Sequence, residues 1–457
     1  METVTSGLST IDYVIFGIYA IVVLVIALSA SRKNHKSAEG YFLAGKSIPW
    51  WAVGASLIAA NISAEQFIGM SGSGYAIGMG IAAYEIMAAV TLILVGKYFI
   101  PIFIEKGIYT IPEFVEKRFN KTLKTILAIF WISLYILVNL TSVLYLGGLA
   151  LETILGIPLM YSILGLAAFA LLYSVYGGLS AVVWTDVIQV AVLVIGGFAT
   201  SYVALKWIGQ GEGFMAGWST LVQDVPEHFE MILDRSNPNF SQLPGISVLI
   251  GGLWVTNLYY WGFNQYIIQR TFAAKSIHEA QTGLVFAGFL KLIIPLICVI
   301  PGIAAYYITV HNPALLDSLK EQYGNIVANN IPTADHPDKS YPWVAQLLPT
   351  GLKGVVFAAL AAAIVSSLAS MLNSTATIFT MDIYKEYINK SASDVSLVRV
   401  GRLTAIVALV IAIFIAPLLS SLGQAFQFIQ EYTGVVSPGI LSVFLCGLFY
   451  KQTQKVQ

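Results

Sequence analysis

The chain has 457 residues, 57% of them hydrophobic and 11% charged, with 24 Lys plus Arg against 24 Asp plus Glu and a mean hydropathy of +0.77. A soluble domain carries about 25% charged residues, so this composition excludes an ordinary soluble protein, and zero formal charge gives nucleic acid no electrostatic footprint. The pattern predicts a polytopic α-helical membrane protein, because a β-barrel would alternate apolar and polar residues in short strands.

Apolar runs long enough to span a bilayer occur eleven times. The first covers 11–30. Residues 1–12 hold no Lys or Arg, and Arg32, Lys33 and Lys36 follow the run at once. It therefore reads as a retained anchor with its N-terminus outside, not as a cleaved signal. The next five runs cover 51–75, 77–95, 126–148, 159–176 and 187–205. After a long polar stretch come 246–268, 284–308, 355–383, 403–419 and 425–450. Alternating from an outside N-terminus puts eighteen Lys and Arg inside and five outside, with Lys291 alone within a run. That asymmetry follows the positive-inside rule.

Two long connections, 207–244 and 311–343, fall outside and serve either as caps over an external vestibule or as plain connectors. With the anchor set aside, ten runs remain, five on each side of the first long connection. A unit of five helices inverts when repeated, a recurrent plan of secondary transporters with the site at the repeat interface. The first run of each half is interrupted by polar residues, Asn61-Ile62-Ser63-Ala64-Glu65-Gln66-Phe67 in one, and Asn257 with Trp261-Gly262-Phe263-Asn264-Gln265-Tyr266 in the other. Such clusters predict unwound helix beside a cavity. The expected organisation is an N-terminus, anchor and cytoplasmic loop at 1–46 and a first five-helix repeat at 47–206. An extracellular loop follows at 207–244, then a second, inverted repeat at 245–450 and a cytoplasmic tail at 451–457.

Charge inside apolar runs is costly and marks pathways or partnered sites. Glu65, Glu85, Asp186, Lys291 and Glu431 are such charges. Glu85 and Lys291 have opposite needs, which either a shared hydrogen-bonded solute or a structural ion pair would meet. The amides Gln66, Asn257 and Gln430 offer donors and acceptors suited to a polyhydroxylated solute, although each alone also fits an interhelical hydrogen bond. In the ninth run Ala363, Ser366 and Ser367 share one helix face. With carbonyls freed by a break at 59–62, their oxygens would line a neutral hole fit for a monovalent hard cation; small-residue packing accounts for the same pattern. All five histidines lie in connections, no metal-ligand pair occurs at helical spacing, and no phosphate-binding Gly-Lys loop appears. No enzyme and no cofactor is expected. Cys298 and Cys446 both read as buried small apolar residues.

Several stretches together are specific: Tyr41-Phe42-Leu43-Ala44-Gly45-Lys46, Gly177-Gly178-Leu179-Ser180-Ala181-Val182-Val183-Trp184-Thr185-Asp186, and the segments 61–73, 257–270, 358–374 and 424–434. They resemble the sodium:solute symporter family over nearly the whole chain. The resemblance implies a leucine-transporter-like fold of two inverted five-helix repeats plus the extra N-terminal helix. It implies sodium held by carbonyls of Ala59, Ile62 and Ala363 and hydroxyls of Ser366 and Ser367. It implies sugar bound by Gln66, Glu85, Asn257, Lys291 and Gln430, with Tyr260 stacked on its inner side and acting as a gate. Asn61, Tyr84 and Trp261 match neighbours of the site, Met70 and Phe426 an outer lid, and Asp186 the sodium exit route. Sugar-carrying relatives place a serine against the sugar where this chain has Ala88. Family members usually continue for several more helices beyond Gln457. The implied function is sodium-coupled symport of a hexose, galactose or glucose, by alternating access in a bacterial inner membrane. The alternatives are the same machine with inositol, an amino acid or a sialic acid, or a sugar-binding sensor or channel.

Overall fold

Lipid offers the backbone no hydrogen bonds, so the chain must satisfy its own, and it does so almost entirely as helix. The structure is a computed structural model describing residues 8–31, 37–63, 65–243, 245–421 and 425–450, with side chains at 153, 173, 176, 326 and 421–431 excepted. Among the described residues eight helices are long and apolar enough to cross a membrane: Thr10–Ala30, Met79–Tyr98, Lys121–Glu152, Gly177–Ile208, Ile277–His311, Leu352–Ile388, Asp394–Ser420 and Tyr432–Phe449. The chain is a multi-pass membrane protein.

The other three apolar runs are helical but short or interrupted. The run 51–75 forms the helix Trp50–Asn61, is extended at Ile62, and resumes through a wide π-type turn, Glu65–Met70, into Ser71–Ala76. The run 246–268 contains the helix Leu253–Phe263, an extended Asn264 (φ −85°, ψ 117°) and the helix Gln265–Phe272. Its break falls late in the polar cluster, so Asn257 and Trp261 stay helical. The run 159–176 is the short apolar arm Leu159–Leu172, which meets the next helix at a sharp kink at Gly178 (φ 56°, ψ −158°).

The long helix Leu352–Ile378 is the axis of the molecule, and every residue from 356 to 378 is buried. Its many Ala and Ser side chains let neighbouring backbones approach closely, which replaces the hydrophobic driving force that lipid removes. The anchor Thr10–Ser31 is tied to the start of this helix. Asp12 Oδ1 accepts the backbone N–H of Gly351 at 2.7 Å and of Gly354 at 2.8 Å, placing an anion at a helix N-terminus.

Both long connections pack onto the same end of the first broken helix. The His228 ring stacks on Tyr306 at 3.9 Å and meets the Tyr75 carbonyl at 3.1 Å. Asn239 donates to the Ala76 carbonyl at 2.9 Å, and the Tyr75 hydroxyl donates to the Pro332 carbonyl at 3.1 Å. Cys298 is buried, but Cys446 is exposed: it lies on the flank of the helix Ala425–Phe449, where an apolar side chain can face lipid at no cost.

Gly178 is required by both its dihedral angles and its surroundings. A Cβ there would lie 2.4 Å from the Tyr41 carbonyl, whereas one at Gly165 would meet nothing within 4 Å. Gly178→Ala should destabilise the protein by about 1–3 kcal/mol, read as a lower melting temperature of the detergent-solubilised protein. Gly165→Ala, in open helical space, should leave it level or raise it.

Candidate functional site

The two broken helices flank a cavity of about 410 Å³, within the usual range of small-molecule sites. Asn61, Glu65 and Gln66 reach it from the first broken helix, and Asn257, Tyr260 and Trp261 from the second. Tyr84, Glu85 and Ala88 come from the helix Ala83–Tyr98, and Lys291 ends the helix Ile277–Lys291. Thr433, Gly434 and Pro438 close the remaining side.

Lys291 and Glu85 are 1% and 3% exposed, so each charge relies mainly on partners inside the protein. The Lys291 ammonium donates to the Glu85 carboxylate and to Asn61 Oδ1, and lies 5.1 Å from the centre of the Trp261 ring. Asn61 passes the chain on, since its Nδ2 donates to the Tyr260 hydroxyl at 2.9 Å, and that hydroxyl also bonds the Tyr266 hydroxyl. Trp261 Nε1 donates to Asn257 Oδ1 at 3.2 Å, and Asn257 Nδ2 to the Leu253 carbonyl at 2.9 Å. Gln66 Oε1 accepts from the Ser63 N–H at 3.0 Å and the Ser63 hydroxyl at 3.2 Å, which leaves its NH2 group to offer to a solute. The cavity thus combines an ammonium, carboxylates and amides with three aromatic side chains, Tyr84, Tyr260 and Trp261.

Below these residues the same break presents bare oxygens. In an unbroken helix the Ser63 N–H would serve the Ala59 carbonyl, and the Gln66 N–H that of Ile62. Here Ser63 N–H goes to Gln66 Oε1, and Gln66 N–H to the Ser63 carbonyl at 3.2 Å. The long helix stands opposite. Its Ser367 hydroxyl donates to the Ala60 carbonyl at 2.9 Å, and its Ser366 hydroxyl to Asp186 Oδ1 at 2.5 Å. Each hydroxyl has spent its proton, so each still holds lone pairs for a cation. Ala363, one turn earlier, is fully buried on the same helix.

Asp186 belongs to a network that sequence reasoning missed. Its Oδ2 accepts the Ser56 hydroxyl at 2.5 Å and lies 3.8 Å from the Arg270 guanidinium. Arg270, 1% exposed, donates to Ser56 Oγ at 2.8 Å, to Ser370 Oγ at 2.6 Å and to the Tyr266 carbonyl. Three other helices therefore converge on one guanidinium. Arg270 reads in sequence as an inside loop charge; the signal available was the polar spacing Gln265, Gln269, Arg270 beyond the break. Ser56 gave no signal. Met70 is 1% exposed and does not reach the cavity wall. Gln430 and Phe426 lie on the helix Ala425–Phe449, with side chains outside the described ones, as is that of Glu431.

Two discontinuous helices flanking a polar cavity are the arrangement of a secondary transporter. The chain belongs to the sodium:solute symporter family, whose model matches residues 41–456. It is thus a transporter, with sodium as its coupling ion, and not an enzyme. It is 71% identical to a sodium/glucose cotransporter of Vibrio parahaemolyticus, over 99% of this chain and 83% of that protein. It is 34% identical to the human sodium/myo-inositol cotransporter 2, over 98% of this chain and 67% of that protein. Among solved structures, the substrate-bound outward-open state of a Na+-coupled sialic acid symporter superposes with a TM-score of 0.83, covering 97% of this chain and 88% of that one at 24% identity. That likeness establishes the shared all-helical fold.

Arg270→Ala would leave Asp186 buried without a counter-charge and should cost about 3–5 kcal/mol. Asp186→Asn in the same chain should recover part of that loss, read as a melting temperature between those of the single variant and the wild type.

Proposed function

We propose that this chain is a sodium-coupled symporter of a hexose, galactose or glucose, working by alternating access in a bacterial inner membrane with its N-terminus outside. One observation carries this reading. The segment 59–66 holds both the freed carbonyls that face Ser366 and Ser367 and the side chains Asn61 and Gln66 that line the cavity. A cation drawing in the Ala59, Ile62 and Ala363 carbonyls with the Ser366 and Ser367 hydroxyls would order that break. Ordering it would set Asn61 and Gln66 for the solute, so occupancy of one site favours the other.

A neutral polyol suits the cavity better than an acid, because Glu85 would repel a carboxylate. Gln66, Glu85, Asn257, Lys291 and Gln430 are assigned to the hydroxyl groups, and Tyr260 to the inner face of the ring. Tyr84 and Trp261 flank the solute, and Met70 and Phe426 are assigned to an outer lid that closes over it. Sodium leaves past Asp186, which already touches Ser366. The segments 47–206 and 245–450 act as inverted repeats, a division supported by the broken helix that opens each. The named function of the Vibrio relative supports the choice of hexose. One sodium crossing about 100 mV yields roughly 2.3 kcal/mol, and a tenfold gradient adds about 1.4 kcal/mol. Their sum could concentrate a neutral sugar several hundred-fold at most.

Proteoliposomes with an inward sodium gradient should accumulate radiolabelled galactose or glucose, and matched potassium vesicles should not. Uptake that ignores the cation would refute symport, and uptake blocked by inositol, an amino acid or sialic acid but not by hexoses would replace the substrate. Ser367→Ala should raise the half-saturating sodium concentration by about tenfold, with sugar binding near normal at saturating sodium, given a lost ligand of about 1.4 kcal/mol. Ala88 forms part of the cavity wall. Ala88→Ser should therefore tighten sugar binding by about fivefold, the worth of one hydrogen bond near 1 kcal/mol, checked by equilibrium binding.

A further inference from the structure

Tyr260 is a wall between two cavities. Besides the large one, a smaller cavity of about 40 Å³ is lined by Glu65, Asn139, Asn264, Tyr266 and Tyr432 among others. Glu65, Tyr260 and Thr433 line both. Along the second broken helix the large cavity is bordered by residues from 248 to 261 and the small one by residues from 259 to 266. The small cavity therefore lies toward Arg270 and Lys275, the end assigned to the inside.

Among the residues lining the two cavities, Glu65 carries an unmet acceptor. Among the described residues Asp186 pairs with Arg270, Glu85 with Lys291, and Asp382 with Lys124 at 3.5 Å. Glu65 has no cation partner among the described residues, and its Oε1 is buried with no hydrogen-bond partner. Asn139 Oδ1 is buried and unpartnered as well. Asn264 Oδ1, by contrast, already accepts the Tyr135 hydroxyl at 2.5 Å. Unmet buried acceptors cost free energy, and they persist where something is meant to meet them. About 40 Å³ is room for a few water molecules but not for a hexose.

We propose that Glu65 and Asn139 form a transit subsite for the sugar on the inner side of Tyr260. This inference rests on the sugar-symport reading. When Tyr260 swings aside, the two cavities join. Glu65 borders both, so it can hold a sugar hydroxyl before and after the ring passes. Asn139 borders only the inner one and accepts a second hydroxyl there. The sugar then crosses the gate without losing all its hydrogen bonds at once, which lowers the barrier to inward release.

The test is made in proteoliposomes with galactose. Sodium-driven uptake by the wild type comes first, and its absence refutes the symport reading rather than the subsite. With uptake in hand, Asn139→Leu should keep equilibrium galactose binding at saturating sodium within about twofold while lowering the turnover of uptake by about fivefold or more. Glu65→Gln should lower turnover too, with some loss of binding, since Glu65 also borders the large cavity. Unchanged turnover in both variants overturns the proposal. So does a shift in half-saturating sodium with turnover preserved, which would mark a cation site, and so does a proportionate loss of binding and turnover in Asn139→Leu. Should Asn139→Leu fail to fold, the isosteric Glu65→Gln carries the test on turnover alone.

Discussion

A buried cation in a membrane protein needs an anion or several acceptors, and meeting that need across different helices fixes where those helices can stand. Lys291 joins the helix Ile277–Lys291 to Glu85 on one neighbour and to Asn61 at the first break. Arg270 joins the second broken helix to Ser56, Asp186 and Ser370 on three others. Both cations grip the helix Trp50–Asn61, Lys291 at its last residue beside the cavity and Arg270 at Ser56 beside the bare oxygens. Remove either and an uncompensated charge is left in a low dielectric, so these pairs specify the arrangement more than any apolar contact does.

Between those clamps the backbone is allowed to be irregular. Segment 59–66 gives up helical hydrogen bonds because side chains and neighbouring helices replace them, with Gln66 turning back onto Ser63 and Ser367 reaching Ala60. The exposed carbonyls are thereby made available at almost no cost. In the proposed mechanism coupling of ion and solute follows from this economy, since a single short segment would answer to both. Tyr260 has a similar double allegiance, bonded to Asn61 on one side and to Tyr266 on the other. Any movement that frees it must first break hydrogen bonds that the sugar site and the inner half share.

Much of this was legible in the sequence, for physical reasons. Apolar runs mark helices because lipid admits little else, and polar clusters at 61–67 and 257–266 mark breaks because unwound backbone needs protein or water beside it. An isolated Glu85 and an isolated Lys291 demand partners, and the structure joins them. The Arg270 hub was not legible. Its partners are serines scattered over more than two hundred residues, and a serine in an apolar run is an ordinary packing residue. Asn139 was hidden for the same reason, since a lone amide in a helix says nothing until its neighbours are known. The exact end of the second break also escaped, because Asn257 looks as disruptive as Asn264 and only tertiary contacts decide between them.

Energetic linkage between the two sites is the central claim, and binding measures it most directly. Purified protein in detergent or nanodiscs should bind radiolabelled galactose or glucose with an affinity that rises as sodium replaces potassium. Sodium affinity, measured with and without the sugar, should rise by the same factor, as linkage requires. Sugar affinity that is independent of sodium in a folded sample would contradict the account, because segment 59–66 could not then be serving both.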